Sequence, residues 1–289
     1  MDYTGNIFRP PSEGNSILLQ VTVGCSHYKC TFCEMYKDKR FTIKDDKTIL
    51  KDIDYAAKHY TMMKRLFLCD GDALIVPQKR LLKYLDAINK KLTFVERIGV
   101  YANTKSIGMK SHEQLVELRK KGLTIAYMGL ETGDDVTLKD IKKGATPEKM
   151  IEMGRKLKKA GIKLSVTVLL GIAGEERSLI HGTETGRVLS EMDPDFVGAL
   201  SLMLTPGTPL YRDQKAGKFK LPDAAGMLKE LGTMVATTNL TNGLFHANHA
   251  SNYLPIRAKM PEDKEKTLKQ INSALNGEIA LKPEHMRAL

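Results

Sequence analysis

Short apolar runs and longer amphipathic stretches alternate along the first two thirds of the chain. The runs at 17–23, 65–69, 94–101, 123–130, 162–171 and 196–203 are short and mostly bounded by Gly, Asp or Pro, which predicts strands. Between them, segments near 45–60, 77–90, 111–121, 146–160 and 177–191 repeat their apolar positions at helical spacing. Start and stop signals support several of these helices. Ser111 followed by Gln114 is a capping-box pair, and Thr146-Pro147 places a cap before a first-turn proline. Gly122 and Gly161 follow lysine-rich ends, where a left-handed C-terminal cap is expected.

Strand–helix alternation of this kind predicts an α/β fold with right-handed crossovers and a mainly parallel sheet. A barrel and an open doubly wound sheet both fit, and in either one ligands bind at the carboxyl ends of the strands. After about residue 240 the rhythm is lost. The stretch 241–253 reads as a polar loop, and a final helix around 261–275 as an appendage. The expected organisation is an N-terminal segment (1–14), a core (15–215) and a helical and loop extension (216–289).

Candidate chemistry begins right after the first strand. Cys25, Cys30 and Cys33 fall within nine residues, and three thiolates on one short loop can hold three corners of a metal site while leaving a fourth open. A zinc site with His27 or Cys69 as fourth ligand is the competing assignment; there is no second C-x₂-C pair to support it. Four cysteines in 289 residues, three of them clustered, do not form a disulfide framework, and no apolar run approaches the length of a membrane span. A cytoplasmic protein is expected. The net charge of +11 raises the question of nucleic acid, but much of it lies in helix-like segments such as 155–159 and 118–121, where lysines solvate an outer face.

With the strand, the cysteine loop and the βα rhythm together, the chain resembles the radical S-adenosylmethionine superfamily over roughly residues 15–215. The usual signature is C-x₃-C-x₂-C with an aromatic residue before the last cysteine. Here Phe32 holds the aromatic place and the first gap is one residue longer. The resemblance implies a partial (β/α)₆ TIM-like barrel in which Cys25, Cys30 and Cys33 bind a [4Fe–4S] cluster, with S-adenosylmethionine on the remaining iron. It also implies ligand contacts at successive strand ends: Asp70, Gly71 and Asp72 after the second strand, Asn103 after the third, Glu131 after the fourth, and Gly171 and Ile172 after the fifth. The segment Leu204-Thr-Pro-Gly-Thr-Pro-Leu-Tyr211 is similar to the branch of oxygen-independent coproporphyrinogen oxidases.

The activity implied is reductive cleavage of S-adenosylmethionine to a 5′-deoxyadenosyl radical that takes hydrogen from a small-molecule substrate, with a low-potential donor such as flavodoxin or ferredoxin. His246, Asn248, His249, Ser251, Asn252 and Tyr253 are the candidate substrate residues, read as a lid or as an ordered polar loop. The alternative functions are an RNA-modifying enzyme of the same superfamily and a non-catalytic tetrapyrrole or metal carrier.

Overall fold

The computed structural model describes residues 1–288 and divides into two units. The first comprises Met1–Tyr28, Met35–Met128 and Lys156–Leu164; the second comprises Lys29–Glu34, Gly129–Arg155 and Ser165–Leu289.

The first unit is built on a parallel sheet. Strand β1 (Ile17–Gln20) is followed by a two-residue pair, β2 (Thr22–Val23) and β3 (Thr42–Ile43), which are antiparallel to each other. Helix α1 (Asp46–His59), β4 (Arg65–Cys69), α2 (Gln78–Lys91), β5 (Arg97–Ala102), α3 (Thr104–Gly108), α4 (His112–Lys120) and β6 (Leu123–Glu131) come next. β1 pairs with β4, β4 with β5 and β5 with β6, all parallel. The expected strand at 17–23 is therefore two: its first part joins this sheet and its last two residues leave it to pair with β3, opening the cysteine loop. Phe67, Tyr101 and Tyr127 pack edge to face in the core, with centroids 4.8 to 6.3 Å apart.

In the second unit, α5 (Asp135–Asp140) and α6 (Pro147–Lys159) precede β7 (Lys163–Leu170), α7 (Gly174–Met192), β8 (Phe196–Ser201), α8 (Pro209–Lys215) and α9 (Ala224–Thr237). β9 (Gly243–His246), β10 (Arg257–Met260) and α10 (Lys264–Leu275) follow, with a short 3₁₀ turn at Glu284–Met286. β7–β8 and β8–β9 are parallel, and β10 closes the edge antiparallel to β9. The strand β9 lies inside the stretch expected to be a loop. It buries Phe245 completely and takes its register from β8, through Val197 opposite Phe245. Helices α7 and α9 pack closely because Gly182 and Gly186 carry no side chain: a Cβ on Gly186 would lie 2.0 Å from Thr237 Oγ1.

The cap assignments made from sequence hold. Ser111 and Gln114 form a reciprocal capping box, Thr146 Oγ1 accepts from the Lys149 N–H, and Gly122 and Gly161 both have positive φ. The fold is α/β with a mainly parallel sheet, as expected.

Candidate functional site

At the carboxyl end of β4, a run of three residues turns two carboxylates inward around a glycine. Asp70 and Asp72 are both completely buried. Asp70 Oδ2 accepts from the Gly24 N–H (3.3 Å) and from Gln20 Nε2 (3.2 Å), and Lys39 Nζ stands 3.6 Å away. Asp72 Oδ2 accepts from the Ser26 hydroxyl, which in turn accepts from Asn103 Nδ2 at 3.1 Å. The other oxygen of each carboxylate, Oδ1, is buried and makes no hydrogen bond of ordinary geometry, and neither does the Tyr36 hydroxyl. Tyr36 nonetheless faces Asp70, and Ser106 and Asn103 face Asp72, closely enough to favour the charged carboxylates. Burial pushes both carboxyl groups above their ordinary range. Burial and the neighbouring Asp70 charge push the Tyr36 phenol far up as well.

Gly71 has no room for a side chain. A Cβ there would lie 2.7 Å from Tyr36 Cε2 and 2.9 Å from Cys25 Cβ. Cys25 Sγ stands 4.0 Å from the Gly71 carbonyl oxygen and 3.5 Å from that of His27. Asn103 is the N-cap of α3, and its Oδ1 accepts from the Ser106 N–H at 3.0 Å. Ser26, Gln20 and Tyr36 were not singled out from sequence; Ser26 and Tyr36 flank the cysteines with no spacing that marks them.

In the second unit, the segment Lys29–Glu34 is pinned at Thr31, between Cys30 and Cys33. The Thr31 N–H donates to the Ile141 carbonyl (3.0 Å), and the Thr31 carbonyl accepts from the Leu210 N–H (3.0 Å). Phe32 packs against a buried cluster of Ile141, Ile172, Leu202 and Leu210. Ile172 thus contributes its side chain to the core, while Gly171 before it takes a left-handed φ of 82° at the end of β7.

Glu131 also has left-handed backbone, φ 65°, uncommon for a side chain of its size. Its carboxylate pairs with Lys143 Nζ at 2.8 Å and folds over Gly129, where a Cβ would lie 2.1 Å from Glu131 Oε1. Lys143 was another residue missed by sequence reasoning.

The candidate substrate residues divide by what they already hold. Asn252 is engaged on both amide atoms, accepting from the Ser201 hydroxyl and donating to the Ala199 carbonyl, each at 2.8 Å. Ser251 Oγ accepts from the Ser201 N–H at 3.1 Å. Tyr253 donates to Glu284, lies under the Arg287 guanidinium at 4.1 Å, and has its phenol pushed up to about 12, by burial first and then by Glu284. Asn248, with its amide oxygen turned to Arg257, accepts from Nε at 2.9 Å. His246 and His249 are half-buried, and burial holds both below the ordinary imidazole range, helped by Arg257 and Lys282 respectively.

A mainly parallel α/β fold carries a three-cysteine loop after its first strand and buried carboxylates at a strand end, where folds of this class bind ligands. The chain belongs to the radical S-adenosylmethionine superfamily, whose family model matches residues 19–183. Members of that superfamily use a [4Fe–4S] cluster and S-adenosylmethionine. Among curated proteins, the chain is 23% identical over 194 residues to the anaerobic magnesium-protoporphyrin IX monomethyl ester cyclase of Rubrivivax gelatinosus, covering 66% of this chain and 33% of the cyclase. The chain spans less than half the length of the first curated relatives it matches. Among solved structures, coproporphyrinogen III oxidase of Escherichia coli superposes with a TM-score of 0.56 at 14% identity, over 76% of this chain and 51% of that one. Methylornithine synthase superposes with a TM-score of 0.53 at 18% identity, over 78% and 65%. At these identities the structural likenesses speak for the fold.

The residues present fit the superfamily's two groups. Three thiols on one segment suit an iron–sulfur cluster with one iron left for another ligand. No three His, Cys, Asp or Glu side chains among the described residues stand together at metal-ligating distance, so the fit lies in the donor set and its spacing. The two buried Oδ1 oxygens beside Gly71, which make no hydrogen bond of ordinary geometry, suit a cationic group such as an ammonium. Among the described residues no helix is long and apolar enough to cross a membrane.

Proposed function

We propose that this protein is a radical S-adenosylmethionine enzyme that acts on a small-molecule substrate. The observation carrying the proposal is the pair of buried Oδ1 oxygens of Asp70 and Asp72, set around a glycine that cannot be enlarged and beside Cys25. A buried acceptor left short of donors is costly, and a ligand ammonium supplies donors.

When bound, the cluster and S-adenosylmethionine supply the one-electron chemistry that gives methionine and a 5′-deoxyadenosyl radical, which takes a hydrogen atom from substrate. The chain's own residues bind and orient. Cys25, Cys30 and Cys33 provide the thiolates, and Phe32 fixes the backbone between the last two by its packing. Asp70 and Asp72 accept from the methionine ammonium, and Gly71 lets the backbone approach it. Asn103 and Glu131 serve the ribose hydroxyls; for Glu131 this requires sharing its carboxylate with Lys143. Gly171 and Ile172 present backbone to the adenine.

The loop at 246–253 is proposed as the substrate-facing segment. Asn252 and Tyr253 tie it to β8 and to the C-terminal segment, and His246, Asn248 and His249 are the contact candidates. An external low-potential reductant, a flavodoxin or a ferredoxin, completes the reaction. Anaerobic reconstitution with iron and sulfide, then reduction in the presence of S-adenosylmethionine, tests this reading: cysteine-dependent 5′-deoxyadenosine supports it, and a loaded protein that releases none contradicts it.

A further inference from the structure

One face of α7 carries a ladder of polar side chains that the proposed chemistry does not use. Ser178, His181 and Thr185 are buried, at spacings of three and four residues that put them on the same side of the helix. Each reaches a strand-end turn or the carboxylate that serves one. Ser178 Oγ donates to Glu230 Oε2 at 2.5 Å. Glu230, on α9 and completely buried, accepts from the Gly171 N–H through Oε1 at 2.6 Å. His181 Nε2 stands 3.2 Å from that same Oε1.

On its other nitrogen, His181 Nδ1 lies 2.7 Å from Thr132 Oγ1 and 3.1 Å from Thr185 Oγ1. Both hydroxyls already accept a backbone N–H: Thr132 takes that of Asp134 (3.0 Å) and Thr185 that of Gly133 (2.9 Å). His181 Nε2 packs against the Glu230 carboxylate without making a hydrogen bond of ordinary geometry. At the edge of the same face, Arg177 grips Asp134 with two bonds, 2.9 and 2.8 Å.

Two strand-end turns are thus tied to one face of α7. Gly171 begins the turn after β7, and Thr132–Asp134 forms the turn after β6, directly following Glu131. Within the turn the Gly171 carbonyl accepts from the Gly174 N–H at 3.1 Å, and the Gly171 N–H is held by the Glu230 carboxylate. The Gly171 φ of 82° and the closeness of Met227 Cε, 2.8 Å from where a Cβ would be, disfavour a side chain there.

We infer that Glu230, oriented by the Ser178 hydroxyl and packed against His181, is a positioning residue for S-adenosylmethionine: it fixes the turn at Gly171 on the same face of α7 that holds the turn after Glu131. This rests on the reading that Gly171 and Ile172 meet the adenine. Glu230 touches neither cofactor nor reacting atoms; it acts through the backbone it holds.

The test compares Glu230→Ala, Glu230→Gln and Gly171→Ala in the full chain. Two quantities are read: amide exchange of the 171–174 segment, and affinity of the reconstituted protein for S-adenosylmethionine. Loss of a buried hydrogen bond corresponds to about a tenfold change. E230A should therefore speed exchange and weaken affinity each by about tenfold, with iron content unchanged. E230Q keeps an oxygen for the Gly171 N–H and should recover most of both. Wild-type exchange and affinity in E230A, or equal loss in E230A and E230Q together with loss of iron, overturns the inference. G171A separates the layers. If it weakens binding while E230A does not, positioning alone fails; if it binds normally, the adenine reading beneath it fails too.

Discussion

Adding a single methyl at Gly71 perturbs the proposed site from its centre. The new Cβ would meet Tyr36 Cε2 at 2.7 Å, Cys25 Cβ at 2.9 Å and Tyr36 Cδ2 at 3.1 Å, all well inside ordinary contact distance. The tyrosine ring cannot swing away cheaply, because it is only 7% exposed and packs edge-on against Phe8 with centroids 5.4 Å apart. Cys25 must therefore share the displacement. Overpacking of this kind costs about 1–3 kcal/mol. For the metal the tolerance is narrower still, since thiolate–metal distances are held to roughly 0.2 Å. Gly71→Ala should lower the urea midpoint of the apoprotein and, beyond that, cut the iron retained per chain after anaerobic reconstitution. Wild-type iron content together with an unchanged midpoint would refute the argument that Gly71 is a close-approach position beside a cluster ligand.

Two further outcomes follow from the charged ties. Burial raises the Asp134 pKa, but Arg177 and Thr137 outweigh it and bring the group from 3.8 to about 2. A depressed carboxyl stabilises the fold above its unfolded pKa and loses that contribution as pH falls through the folded value. Asp134→Asn should thus cost about 1–2 kcal/mol in urea unfolding near neutrality, the gap closing as pH drops from about 4 to 2; a gap constant across that range contradicts the assignment. Arg287 buries its guanidinium almost completely, donates to the Ser251 carbonyl at 2.7 Å and lies over Tyr253. Its replacement by alanine should destabilise by roughly 2–4 kcal/mol and open the 246–253 loop to protease, and unchanged cleavage there would argue against a strapped loop.

What could be read from the sequence was what is local. The strand runs and the cap pairs at Ser111, Thr146, Gly122 and Gly161 carry their signal within a few residues; the structure shows the caps in place and each run as strand, with the run at 17–23 divided in two. The cysteine spacing likewise marked the loop without any tertiary information. β9 was hidden because only Leu244 and Phe245 of its four residues are large and apolar, and its neighbours are polar; it is a strand through its pairing with β8 and β10. Nor does any local pattern join His181 to Glu230, which are 49 residues apart and meet only when α7 and α9 pack. The pairing of Glu131 with Lys143 depends on a left-handed backbone at a glutamate, which propensity disfavours. The loop at 246–253 read as polar from its composition. That Asn252 spends both amide atoms on β8 while His246 and His249 stay half-exposed required the fold.

Three thiolates of one loop are proposed to hold a cluster on which S-adenosylmethionine is cleaved. The most direct test is the yield of 5′-deoxyadenosine from the reconstituted, reduced protein, measured beside Cys25→Ala, Cys30→Ala and Cys33→Ala. The account predicts formation by the unmodified chain and loss in every one of the three variants. A variant that keeps both its full iron content and its 5′-deoxyadenosine yield, or zinc in place of iron in the unmodified protein, would contradict it.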